Sequence, residues 1–171
     1  MNKVANGKDD FLQVFLDLLE EKHIPFCAIG GLAVNAYAEP VVSLDLDIII
    51  VAKYLDSLVA VLREHYSVTQ YPNSINVTEL TSDLRIQIQT DPRYQPFINR
   101  AVRKTILGYD IPVAVIEDVL QGKIWAAMDE SRRASKRQKD LSDIMRLVET
   151  REDLISLVPD TLKKKLFPDK Q

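Results

Sequence analysis

The run Leu44-Asp45-Leu46-Asp47-Ile48-Ile49-Ile50-Val51 constrains this chain more than any other segment. Beyond Asp47 every position is apolar, so both faces of a strand drawn through it must be covered. That places the strand in the middle of a sheet rather than at an edge. At its start, Asp45 and Asp47 stand two residues apart. On a strand, residues i and i+2 point to the same face. Two carboxylates on one face repel each other unless a positive group lies between them. A divalent cation meets that need, and an all-oxygen donor set suits Mg²⁺ or Mn²⁺ rather than zinc. The competing reading is a strand end that uses its acids only to meet water.

Upstream, Phe26 to Ile29 reads as a short strand, broken by Gly30-Gly31 and followed by a short helix from Leu32 to Tyr37. Glycines let the backbone approach a ligand closely, and amides at the start of a helix face anions. The turn therefore suits a phosphate group; the alternative is a tight strand-to-helix turn with no ligand.

Helical spacing of Phe11, Leu12, Phe15, Leu18 and Leu19 predicts a helix from Asp9 to Glu21, with Asp9 or Asp10 as its cap and Pro25 beyond its end. Residues 1–8 are polar and read as a frayed end. A second helix is expected from Tyr54 to His65, and short strands between Ser67 and Gln89 around Tyr71-Pro72-Asn73. The last of these, Leu84 to Gln89, alternates apolar and polar residues as a half-buried strand does. Asp91-Pro92-Arg93 reads as a turn. Val102 to Leu107 and Tyr109 to Val115 read as further short strands or a hairpin through Gly108. From Ile116 onward the pattern becomes helical, over Ile116 to Met128, Ser135 to Glu149 and Pro159 to Leu166. The expected architecture is α/β (α+β): a mixed β-sheet core over residues 1–115, with flanking helices. A helical segment over 116–171 packs on it as one structural unit.

Composition limits what such a chain binds. The net charge is −3, so anionic ligands need a local basic cluster. Arg132-Arg133-Ala134-Ser135-Lys136-Arg137-Gln138-Lys139 is one such cluster, suited to a triphosphate or an RNA backbone, or else a solvated helix start. Lys123 shares a helix face with Ile116, Leu120 and Ala127, so it either reaches out to water or meets an anion. Asp140 shares a face with Ile144 and Leu147, and Lys139 and Asp143 have the spacing of a helical ion pair. Tyr94 and Phe97 are candidates to stack on a base or to pack internally. His23 and His65 read as surface residues, and Cys27, the single cysteine, as a core thiol. No apolar run approaches the roughly 18 residues that span a bilayer, so a cytoplasmic, membrane-free protein is expected.

Taken together, the string Ile29-Gly30-Gly31-Leu32-Ala33-Val34-Asn35-Ala36-Tyr37 and the later Ser43-Leu44-Asp45-Leu46-Asp47 resemble the polymerase-beta-like nucleotidyltransferase superfamily. The closer resemblance is to its small bacterial branch that includes the abortive-infection (AbiEii-type) nucleotidyltransferase toxins. Members of that branch carry a lysine in a later helix and a K-D-L-x-D motif in the next, matched here by Lys123 and Lys139-Asp140-Leu141-Ser142-Asp143. The resemblance, over about residues 24–149, implies Mg²⁺ or Mn²⁺ on Asp45 and Asp47, with Lys123 joining them in catalysis. It implies an NTP as substrate, held by Gly30, Gly31, Ser43, Lys123, Lys139 and Asp140. It implies transfer of a nucleotidyl group to a hydroxyl of RNA, protein or a small molecule, and a cognate antitoxin as partner.

Two departures stand out. Active members of the superfamily add a third carboxylate from a neighbouring strand, and the matching positions here are Gln87 or Gln89. A glutamine amide takes no proton at neutral pH. Asp83 and Asp91, which bracket the strand, are the remaining candidates. Val42 stands where a basic residue often precedes the Ser/Thr. A catalytically impaired module that still binds NTP and Mg²⁺, or a fold with a vestigial motif, is therefore the alternative to an active enzyme.

Overall fold

The computed structural model describes residues 10–170; the expected frayed start and the Asp9 cap lie outside these. Helix α1 (Phe11–Glu21) begins at Asp10, whose carboxylate accepts from the amides of Leu12 and Gln13. That cap satisfies amides with no partner inside the helix. The apolar stripe of α1, Phe11, Leu12, Phe15 and Leu19, is buried.

Among the described residues, seven strands form one mixed sheet: β1 (Phe26–Ile29), β2 (Asp45–Ile50), β3 (Ser67–Tyr71), β4 (Ser74–Thr78), β5 (Arg85–Gln89), β6 (Val102–Ile106) and β7 (Tyr109–Val113). Their order is β3-β4-β5-β2-β1-β7-β6, so the Asp-bearing strand β2 is central. Its residues from Ile48 to Ile50 are buried, as a strand covered on both faces requires. Strand β2 runs antiparallel to β1, with Ile29 across from Asp47. It runs parallel to β5, with Asp45 across from Arg85 and Asp47 across from Gln87. The register thus puts the end of β1 and the start of β2 and β5 at one edge of the sheet.

Between β1 and β2 lies α2 (Gly30–Asn35). The expected helix starts two residues later, at Leu32; in the fold both glycines belong to its first turn. Next come α3 (Leu55–His65), α4 (Phe97–Arg100), α5 (Ile116–Met128), α6 (Ala134–Thr150) and α7 (Asp160–Leu166). The short α4 lacks the repeated apolar spacing that reveals longer helices, and the sequence does not show it. Helices α5 and α6 pack on each other and both touch α2, so they cover the edge where the strand termini meet. Cys27 is fully buried, and its burial pushes the thiol up to about 12. His23 and His65 are exposed. Among the described residues, no helix is long and apolar enough to cross a membrane.

Candidate active site

Gly30 ties the α2 turn to the carboxylates. Its φ is +72°, a left-handed conformation that side chains other than glycine's rarely tolerate. A Cβ built on it would stand 2.2 Å from Oδ2 of Asp47. A residue with a side chain would have to displace that carboxylate. Gly31 is different: its added Cβ meets only Ser43 Oγ, at 4.0 Å.

The two acids are in unlike surroundings. Asp45 forms a two-pronged ion pair with Arg85, Nε donating to Oδ1 at 3.0 Å and Nη2 to Oδ2 at 2.9 Å. Asp47 has no side-chain hydrogen bond or ion pair among the described residues. Burial pushes its carboxyl up to about 6; the positive charge of Lys123 pulls it down and neighbouring Asp45 raises it again.

Lys123 comes in from α5. It is buried, and its Nζ donates to Asp140 Oδ1 at 3.1 Å and meets Asp143 Oδ2 at 2.8 Å. Burial favours the neutral amine, but Asp143 and Asp140 outweigh it and hold the group above an ordinary lysine. Asp140, also buried, accepts from Arg132 Nε at 2.7 Å. Asp143 pairs with Arg146 at 2.8 Å. The network thus counts three cations, Arg132, Lys123 and Arg146, against the two carboxylates of Asp140 and Asp143. Arg146 also donates to Asn35 Oδ1 at 2.9 Å and to the Glu39 carbonyl. Asn35 in turn holds the loop before β2 through both the amide and the carbonyl of Val41. The helical pair expected between Lys139 and Asp143 is not formed: Asp143 faces inward to Lys123, and Lys139 is exposed.

These groups line a cleft with two adjoining lobes. Asp45, Asp47, Lys123 and Asp140 line both. The larger lobe, about 410 Å³, adds Gly30 and the β4–β5 side chains Ser74, Asn76, Gln87 and Gln89. The smaller, about 200 Å³, adds Gly31, Ser43, Lys139 and Arg146. From the basic cluster, Arg132 and Lys136 line both lobes and Arg133 the larger one. The fold therefore gathers at one cleft the residues that the resemblance assigns to metal or nucleotide: Gly30, Gly31, Ser43, Asp45, Asp47, Lys123, Lys139 and Asp140.

Gln87 occupies the register position beside Asp47. Gln89 lines the same cleft, but its Oε1 accepts from the amide of Asp91 at 3.0 Å. Asp91 does not substitute for a third acid: its carboxylate is taken by Arg93 at 2.8 Å, and it lines only a neighbouring recess, not the lobe that holds Asp45 and Asp47. Among the described residues, no group of three His, Cys, Asp or Glu side chains able to hold a metal occurs. For Tyr94 and Phe97 the fold takes the internal-packing alternative. Both are buried, Tyr94 meets Phe97 and Trp125 edge-on at 5.4 and 5.1 Å, and Phe97 stacks on Trp125 at 5.8 Å. Apolar ring faces gain more from each other than from water. Tyr94 shows an edge to the larger lobe, but the exposed aromatic there is Tyr71, half exposed at the end of β3. Tyr71, Ser74, Asn76 and Arg85 are cleft residues that the sequence reading did not assign. For Ser74, Asn76 and Arg85 the period-two alternation along β4 and β5 is the available signal; Tyr71, at the end of β3, has none.

A protein-family model described as nucleotidyl transferase AbiEii toxin, type IV TA system, matches residues 29–170. The chain belongs to this family. AbiEii nucleotidyl transferases are thus the group in which its Gly-Gly turn and D-x-D strand are to be read. A search of the curated proteins gave no match. Solved structures share the fold at low identity. The lincosamide antibiotic adenylyltransferase LnuA, solved with lincomycin bound, is 14% identical. The match covers 83% of this chain and 99% of that one, with a TM-score of 0.55. ANT(2″)-Ia, solved with adenylyl-2″-tobramycin, is 15% identical over 85% of this chain and 95% of its own, with a TM-score of 0.54. An antigenic nucleotidyltransferase-like protein from Paracoccidioides brasiliensis is 17% identical over 91% and 94%, with a TM-score of 0.52.

Proposed function

We propose that this AbiEii-family chain transfers an NMP from an NTP to a hydroxyl acceptor in an Mg²⁺-dependent reaction, acting as the toxin of a toxin–antitoxin pair. The observation that carries the chemistry is the meeting of Asp45, Asp47, Lys123 and the Gly30 turn at one cleft. The donor set fits a hard divalent cation. Asp45 and Asp47 share a strand face, and the free carboxylate of Asp47 lies where Gly30 leaves room for it. When bound there, the cation supplies charge neutralisation and alignment at the α-phosphate.

The chain's own groups do the remaining work. The smaller lobe carries Lys123, Arg132, Lys136 and Lys139 beside Gly31 and Ser43. This cation-rich surface suits a polyphosphate. Lys123 stays charged because Asp143 and Asp140 hold it, and its positive charge acts on Asp47 in the shared cleft. The larger lobe, floored by uncharged Ser74, Asn76, Gln87 and Gln89, suits an acceptor read by neutral hydrogen bonds.

The test is label transfer from NTPs in Mg²⁺ to RNA, protein and small hydroxylated acceptors, beside the variant carrying Asp45→Ala and Asp47→Ala. Transfer that vanishes in the variant supports the enzyme. Growth arrest on expression, relieved by the same double variant, tests the toxin role. One observation favours a second reading, a module that binds NTP and Mg²⁺ without turnover: Gln87 stands beside Asp47 where a third acid would be. Tight NTP binding without transfer to any acceptor would decide for it.

A further inference from the structure

Asp45 and Arg85 face each other across the β2–β5 pairing, and both line the larger lobe of the cleft. The guanidinium fork reaches one oxygen with each prong, at 3.0 and 2.9 Å. A carboxylate offers about four lone-pair positions. The fork takes one on each oxygen and balances the charge. Both side chains are only about a third exposed, 36% and 37%, so solvent screens the pair incompletely. Asp47, on the same strand face, receives no such partner; its neighbour on β5 is the uncharged Gln87. A cation entering the site therefore meets one free carboxylate and one that already holds a positive group.

We propose that Arg85 is a built-in cation that competes with the divalent ion for Asp45, so that the pair holds a single ion centred on Asp47. This rests on the metal role given to Asp45 and Asp47 above. Arg85 is a positioning residue: it acts on the metal through Asp45. In the metal-free protein it balances Asp45, so that the two neighbouring carboxylates do not both carry uncompensated charge. It also limits the site to one tightly held ion, because β5 contributes a guanidinium and an amide where a second ion needs an acid.

The experiment is a Mn²⁺ titration of the full chain without nucleotide, with free aqueous Mn²⁺ followed by electron paramagnetic resonance. The parent, Arg85→Gln, Arg85→Lys and the Asp45→Ala/Asp47→Ala variant are compared. The parent is expected to bind one ion, and Arg85→Gln to bind it about tenfold more tightly once the adjacent positive charge is gone. Arg85→Lys keeps the charge but loses the fork, so its affinity falls between the two. Unchanged or weaker binding by Arg85→Gln overturns the proposal, since Arg85 would then only brace Asp45. If circular dichroism shows that Arg85→Gln does not fold, Arg85→Lys decides, and affinity no tighter than the parent's overturns it. Equal binding by the parent and the double-alanine variant, or no binding by any protein, removes the metal reading itself and the proposal with it. That outcome is distinct from a failure of Arg85 alone.

Discussion

Gly30 and Asp47 are locked together: a Cβ on the glycine would lie 2.2 Å from the carboxylate oxygen of Asp47. The turn after β1 and the second acid of the D-x-D pair thus share one space. Gly30→Ala must both strain a backbone at φ +72° and push Asp47 aside. We expect a loss of roughly 2–4 kcal/mol in urea unfolding and loss of divalent-ion binding. Gly31→Ala meets only Ser43 Oγ at 4.0 Å, so its unfolding free energy should stay within about 1 kcal/mol of the parent. Equal destabilisation by the two substitutions would contradict this account.

Lys123 is the centre of a buried ionic chain. Replacing it with Met leaves Asp140 and Asp143 facing a site that lacks its ammonium, with Arg132 and Arg146 still attached at their outer oxygens. Removing one member of a buried pair costs about 3 kcal/mol, because the other charge stays behind. Lys123→Met is expected to lose about that much stability by chemical denaturation and to lose NTP affinity by calorimetry. A stable variant that binds NTP normally would show that Lys123 serves neither purpose.

Asp47 predicts a pH dependence whose sign follows from its raised value. Its carboxyl moves from 3.8 to about 6 because burial disfavours the charged form. The native state therefore holds this proton more tightly than the unfolded chain. Metal-free protein should lose stability as pH rises from about 4 to about 6, with the penalty complete above that range. Asp47→Asn removes the penalty, so it should exceed the parent by up to about 3 kcal/mol at pH 7 and gain nothing at pH 3.5. Divalent-ion affinity in the parent should fall below about pH 6, as the proton takes the ligand's place. Melting curves in EDTA at several pH values check the first statement, and metal titrations the second.

Tyr94 and Tyr71 separate packing from recognition. Tyr94 is buried against Phe97 and Trp125, and its ring fills the space that Gly122 leaves open, 3.1 Å from where a Cβ would stand. Tyr94→Ala is expected to cost about 3–4 kcal/mol. Tyr71 is half exposed at the cleft, so Tyr71→Ala should leave stability within about 0.5 kcal/mol. Its effect should be a raised KM for acceptor at unchanged KM for NTP, read by steady-state kinetics. A matching rise in both constants would place Tyr71 at the nucleotide instead.

Much of the fold was legible because its signals are local. The apolar run after Asp47 marked the central strand, and the Ile116 to Met128 spacing gave α5 with the observed limits. The inward faces of Lys123 and Asp140 followed from their helical phase. What the phase did not reveal was the partner. Lys139 and Asp143 had the spacing of an ion pair, but a stronger opportunity for Asp143 lay across the helix interface, at Lys123. The aromatic candidates failed for a related reason: Tyr94 and Phe97 found Trp125, a residue far along the chain, and their ring faces are spent on it.

By itself the sequence determined the kind of chemistry on offer: two acids on one strand face, a glycine turn, a buried lysine and a basic segment. Those properties depend on residue type and short-range periodicity, which the chain carries wherever it folds. Only the tertiary structure decided how the two acids differ. Strand register sets Arg85 across from Asp45 and Gln87 across from Asp47, so one carboxylate is held by a guanidinium while the other stands free beside Gly30. Register between distant strands is set by the packing of the whole sheet, and no local pattern in the chain contains it.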